Sequence, residues 1–111
     1  MFTKSIIQQT VEKLQAKYNF RTALEQLMEK YNVVDSVFVM KNGTLHEVVN
    51  GYYTIEGNYE TLDEAVRYCD MTCMGIRILG GIFQVGKIHN RLSECESDKK
   101  VFDLSRLEDV Q

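Results

Sequence analysis

A chain of 111 residues has room for one hydrophobic core and too little for a second, so a single domain over residues 1–111 is expected. Its 44% apolar and 26% charged residues are those of a folded globular domain and exclude a wholly disordered chain. The net charge of −3 with no basic stripe argues against a duplex-binding surface, and the longest apolar run, Val37-Phe38-Val39-Met40, falls far short of the roughly 20 residues a membrane helix needs.

The start of the chain leads into an amphipathic segment containing Glu12 rather than the apolar stretch of a signal peptide. Three cysteines, an odd number, make a poor disulfide framework and fit reduced thiols. The expectation is a cytoplasmic protein.

Residues 3–18 place Ile7, Val11, Leu14 and Tyr18 at helical spacing. Asn19 is a stop or cap, and Phe20, Ala23, Leu24, Leu27, Met28 and Tyr31 repeat the pattern up to Asn32. The two segments form a helical hairpin with a tight joint. The period then changes. Residues 33–40 are rich in β-branched side chains, and Asn42-Gly43 before residues 45–49 is the strongest short hairpin signal, because a type I′ turn needs positive φ at both central residues. A second such pair, Asn50-Gly51, precedes Tyr52-Tyr53-Thr54-Ile55, which predicts a three-stranded meander.

Thr61-Leu62-Asp63-Glu64 is a capping box. It opens a helix with Leu62, Ala65, Val66, Cys69 and Cys73 on one face, ended by Gly75 in the left-handed region. Residues 76–79 and 82–85 around Gly80-Gly81 read as another hairpin. Residues 87–95 fit either a strand extension or a helix, and Ser93 to Lys100 is a polar loop. Leu104, Leu107 and Val110 point to a short last helix capped by Asp103. The fold class is α+β: an N-terminal helical hairpin and an antiparallel sheet of about five strands, in the order α-α-β-β-β-α-β-β-α, with helices packed on one face.

Cys69, Cys73, Cys95 and His89 are the residue types of a zinc set, but close zinc ligands usually sit on turns, whereas Cys69 and Cys73 share an apolar helix face. Free cysteine packs as a small hydrophobe, so no metal and no cofactor is expected. A thiol nucleophile needs an electropositive setting, and His46 lies in the acidic part of the chain. The carboxylate pairs Asp63-Glu64, Glu94 with Glu96, and Glu108-Asp109 lie in polar runs rather than apolar settings that would drive their pKa values apart. The glycines at 80, 81 and 86 lie between strands, where no phosphate loop can form. Nothing here specifies an enzyme.

Charge is uneven along the chain. Residues 1–43 carry +2, residues 44–74 carry −5, and residues 75–111 are neutral. The acidic third also holds Tyr52, Tyr53, Tyr59 and Tyr68. Tyrosine gives contact area at low entropy cost and is enriched at interfaces, while carboxylates steer a basic partner. Tyr52, Tyr53, Glu56, Tyr59, Glu60 and Asp63 are therefore the candidate partner-binding residues. The expected function is a non-enzymatic protein-binding module, an inhibitor or regulator that occludes a basic surface of its partner, for example a nucleic-acid-binding one. A nucleic-acid binder using Lys87, His89, Arg91, Lys99, Lys100 and Arg106 is a second reading, weakened by the acids interleaved there. A structural homo-oligomer, such as a homodimer, joined through a strand edge or the helical hairpin, is a third.

The run Gly51-Tyr52-Tyr53-Thr54-Ile55 through Tyr59-Glu60-Thr61-Leu62-Asp63-Glu64-Ala65 resembles a hairpin-then-helix unit common in the small accessory proteins of tailed bacteriophages. That resemblance implies a host-takeover or anti-defence protein that binds and inhibits a host enzyme or defence complex.

Overall fold

The computed structural model describes residues 6–30, 35–69 and 74–105. Its elements are α1 (Ile6–Gln15), α2 (Phe20–Lys30), β1 (Ser36–Lys41), β2 (Thr44–Val48), β3 (Tyr52–Tyr59), α3 (Leu62–Tyr68), β4 (Met74–Leu79), β5 (Ile82–His89), a single 3-10 turn at Leu92–Glu94, and β6 (Val101–Asp103). The fold class is the expected α+β, with a helical hairpin followed by an antiparallel sheet. The sheet has six strands in the order β2-β1-β4-β5-β3-β6.

The helical hairpin follows from its apolar stripes. Val11, Ala23, Leu24 and Leu27 are buried, with Ile7, Leu14, Phe20 and Met28 packed around them. Asn19 caps α2, its Oδ1 accepting the Thr22 N–H at 2.9 Å. Tyr18, expected on the apolar face, is instead exposed, because α1 ends at Gln15 and the following turn carries it outward. Residues 31–34, including Tyr31 and Asn32, lie outside the described residues.

The first Asn-Gly forms the predicted hairpin, with φ of 52° at Asn42 and 77° at Gly43, and Lys41 registers with Thr44. The three-stranded meander does not form. β2 is a sheet edge, while β3 pairs with β5 and β6. At the second Asn-Gly only Gly51 has positive φ, at 125°. That conformation is not a type I′ turn, and the chain continues in its own direction, so that β2 and β3 run parallel.

Parallel strands normally need a crossover of a dozen residues or more. Here only residues 49–51 intervene. The register places Val48 in one row with Val37, Arg77, Gln84 and Asn58. In a flat sheet the start of β3 would lie about 19 Å sideways and about 20 Å along the strands from Val48. Four residue steps span at most about 14 Å. The sheet must therefore coil until its diagonal corners approach.

That coiling gives two unlike faces. One carries Phe38, Ile76, Ile78, Phe83 and Val85, which pack with Leu62 and Ala65 of α3 and with the α1–α2 pair. The other encloses Val37, Tyr53 and Leu104, flanked by Val48, Ile55, Ile88 and Phe102. Gly86 makes the second core possible. A Cβ there would sit 2.4 Å from the Tyr53 ring and 2.5 Å from the Thr54 carbonyl oxygen. Arg77 is buried on the same face at 1% exposure. Its Nε donates to Asp35 Oδ1 at 2.9 Å, Nη2 makes an ionic contact with that oxygen at 2.7 Å, and the guanidinium lies 5.2 Å from the Phe102 ring centroid.

Two smaller expectations are corrected. Helix α3 stops at Tyr68 with Cys69 as its C-cap, and Gly75 is a strand residue paired with Val39 and Gly86. The ambiguous residues 87–95 divide between the end of β5 and the 3-10 turn. Part of the C-terminal segment is strand: β6 pairs with β3 and delivers Leu104 to the core. Asp103 does act as a local cap, its Oδ1 accepting the Ser105 N–H at 3.0 Å. Leu107 and Val110 lie outside the described residues.

Two stability measurements follow. Asn42→Ala should cost about 1 kcal/mol because alanine must enter the left-handed region, whereas Asn50→Ala, at an exposed negative-φ site, should change stability by less than about 0.5 kcal/mol. Gly86→Ala should cost about 1–3 kcal/mol through overpacking against Tyr53. Urea unfolding of the three variants checks both expectations.

Candidate aromatic and acidic interface

The candidate residues lie on β3 and at the start of α3, and a β-bulge decides which of them can act together. The β3–β5 register shifts between Ile55 and Gly57. Strand side chains alternate between faces, so Tyr53 and Ile55 would share a face with Gly57 and Tyr59 in a regular strand. The bulge moves Gly57 and Tyr59 to the helix side, paired with Val85 and Phe83, while Tyr53 and Ile55 stay on the other face opposite Ile88 and Gly86.

Tyr53 is consequently not a surface residue, and its place in the partner-binding set is a correction. It is fully buried. Burial raises its phenol pKa well above the ordinary value near 10. Tyr52 is half-buried and pairs with His89 and Asp103, away from Tyr59 in the strand. Glu56, in the bulge, is bound by Lys99 Nζ at 3.1 and 3.2 Å. Lys99 is held in its charged form chiefly by that hydrogen bond. Asp63 is ion-paired with Arg21 of α2, which also reaches Glu25 at 3.3 Å. Two of the three expected acids are thus partly neutralised by cations distant in sequence.

Tyr59 and Glu60 remain, and the fold adds Tyr68 and Glu64 beside them. The Tyr59 ring lies back along its strand over Gly57 and packs against the main core. Tyr68, on the last turn of α3, stacks on it with ring centroids 5.1 Å apart and planes 8° from parallel. Tyr68 is nevertheless 61% exposed, so the outer side of the stack faces solvent. Thr61 Oγ1 accepts the Glu64 N–H at 3.2 Å, but no return bond from the Glu64 carboxylate to Thr61 is made among the described residues. Glu60 and Glu64 are both exposed, and neither makes an ion pair among those residues. Arg67 follows on the same helix, also exposed.

The sequence showed Tyr68 and Glu64 as members of the acidic third but gave no signal that they join Tyr59. That depends on the bulge and on where α3 ends. Asp70 lies outside the described residues.

The basic set is scattered. Lys87 and Arg91 are exposed, His89 is buried, Lys99 is held by Glu56 and Glu96, and Lys100 lies 5.3 Å from the Phe102 ring centroid; Arg106 is outside the described residues. Cys69 and Cys95 are half-buried, Cys73 is outside the described residues, and among those described no group of three or more His, Cys, Asp or Glu could hold a metal ion. No helix among the described residues is long and apolar enough to cross a membrane. No known family model, no curated protein and no solved structure matches this chain.

The burial of Tyr53 makes stability depend on alkaline pH. A phenol whose folded pKa exceeds its unfolded value keeps a proton that the unfolded chain gives up, so its contribution is intact below about pH 10 and is lost as pH rises beyond that. Tyr53→Phe should shrink the fall in urea midpoint between about pH 8 and about pH 11. An equal fall in both proteins would contradict the burial.

Proposed function

We propose that this chain is a small cytoplasmic protein-binding module without catalytic activity, an inhibitor or regulator that covers a basic surface of a partner protein. The observation that supports it is the Tyr59–Tyr68 stack, with Tyr68 61% exposed and Tyr59 fixed against the core. An aromatic side chain already held in one place loses little further entropy on binding. Glu60 and Glu64 beside it offer carboxylates to lysine or arginine, and an arginine of the partner can lie across the exposed tyrosine face. The acidic balance of residues 44–74 would speed the encounter with such a partner. The proposed contact therefore shifts from the six residues read in the sequence to Tyr59, Glu60, Glu64 and Tyr68. The resemblance to tailed-phage accessory proteins makes a bacterial host protein the first partner to test.

The test is capture by tagged protein from a bacterial lysate at low and moderate salt, comparing the native chain with Tyr68→Ala and with Glu60→Lys/Glu64→Lys. These three substitutions are all at exposed positions and leave the buried core residues in place, and circular dichroism verifies the fold. One dominant, salt-sensitive protein partner, weakened about tenfold or more by each variant, is the expected result. Capture that both variants leave unchanged would remove this surface, and recovery of nucleic acid alone would favour the nucleic-acid reading.

A further inference from the structure

A second site lies where β5 ends and residues 90–99 fold back beside the sheet. Thr54, Glu56, Lys87, His89, Glu94, Glu96 and Lys99 line a cavity of about 180 Å³. Its floor is strand. Thr54 and Lys87 are direct cross-strand partners, and His89, two residues on, shares their face. Thr54 is only 2% exposed and His89 9%. The Thr54 Oγ1 is buried with no hydrogen-bond partner, an arrangement that native interiors rarely leave without a use.

The remaining charges are sorted by the internal bonds. Lys99 is held by Glu56 at 3.1 Å and by Glu96 at 3.5 Å. Glu94 Oε2 accepts the Asn90 backbone N–H at 3.3 Å and makes no ion pair among the described residues, nor does Lys87. The strand floor therefore offers donors from Lys87, His89 and Thr54, while the loop offers the carboxylates of Glu94 and Glu96. A simple anion would meet three carboxylates, and a simple cation would meet two lysines. Neither sign alone suits the lining.

We propose that this cavity binds a small zwitterion of free amino-acid size, its carboxylate on Lys87, His89 and Thr54 and its ammonium toward Glu94 and Glu96. The ligand adds no net charge, and each of its ends finds an opposite one. The volume equals about six waters at about 30 Å³ each, in keeping with a small amino acid. The Thr54 hydroxyl hydrogen is free to turn toward an acceptor.

The experiment is an amide-resolved NMR titration of the intact ¹⁵N-labelled chain with glycine, alanine, serine, aspartate, glutamate and lysine. Acetate and methylammonium serve as half-ligands. At least one amino acid should give saturable shifts centred on Thr54 and on residues 87–96, with both half-ligands weaker by about tenfold or more. Lys87→Met and Glu94→Gln, both at exposed positions, should each weaken it by a similar factor while the spectrum keeps its dispersion. The proposal fails if acetate or methylammonium binds as well as the amino acid, if neither variant matters, or if no amino acid gives saturable shifts.

Discussion

Residues 49–51 join two strands that run parallel and stand four places apart in the sheet, and the chain there has no slack. A flat sheet would leave the two ends about twice as far apart as four residue steps can reach. The coiling this forces separates a roomy outer side, which needs three helices to cover it, from a tight inner side with space for few side chains. Gly51 shows how close the approach is: a Cβ there would lie 2.7 Å from the His89 carbonyl oxygen, and its own carbonyl accepts the Leu104 N–H at 3.0 Å. The link is therefore clamped between the end of β5 and the residue that follows β6.

The inner side holds a charge. Arg77 points inward because strand alternation puts Ile76 and Ile78 on the helix side, leaving the residue between them no other direction. Its cost is offset by Asp35, by Gln84 Oε1 at 3.4 Å from Nη1, and by the Phe102 ring. A buried pair of this kind is a weak source of net stability, but removing one partner strands the other charge. The pair therefore ties residue 35, just before β1, to the middle of β4, and the same guanidinium ties β4 to β6 through Phe102. The Phe102 contact reports on whether the sheet has coiled, since β4 and β6 stand three places apart in it, whereas β1 and β4 are paired neighbours.

The fold class, the helical hairpin, the two tight strand turns and the N-cap of α3 were legible because each depends on residues close in sequence. Asn42 and Asn50 mark the limit. Both precede glycine between apolar runs, yet one enters the left-handed region and the other does not. Residues near Asn50 did not decide that; the pairing of β3 with β5 and β6 did. The bulge at Glu56 is similarly invisible locally, and it alone sends Tyr53 inward and Tyr59 outward. The partners of Glu56 and Asp63 come from residues 99 and 21, so an acidic run in the sequence becomes, in the fold, two ion pairs and two remaining glutamates. Sequence spacing located the right region of the chain but could not sort its residues between core, ion pair and surface.

The sheet edges bear on how such a chain meets a partner. At one edge α1 lies against β2, with Gln8 Oε1 accepting the Glu47 N–H and Gln15 Nε2 reaching the Gly43 carbonyl at 3.5 Å. At the other edge β6 is three residues long, and its last residue turns its carboxylate onto Ser105. Covered and very short edges are the usual guards against strand addition. They weigh against assembly through backbone pairing, whether with a second copy or with an extended peptide. Under the proposed function recognition would then fall to side chains, and the fold sets the Tyr59–Tyr68 stack at the corner where β3 passes into α3. The bulge that brings Tyr59 to that corner also places Glu56 at the cavity beside β5. One irregularity in one strand thus serves both proposed sites, which lie on the same side of the sheet, the first past the bulge and the second before it.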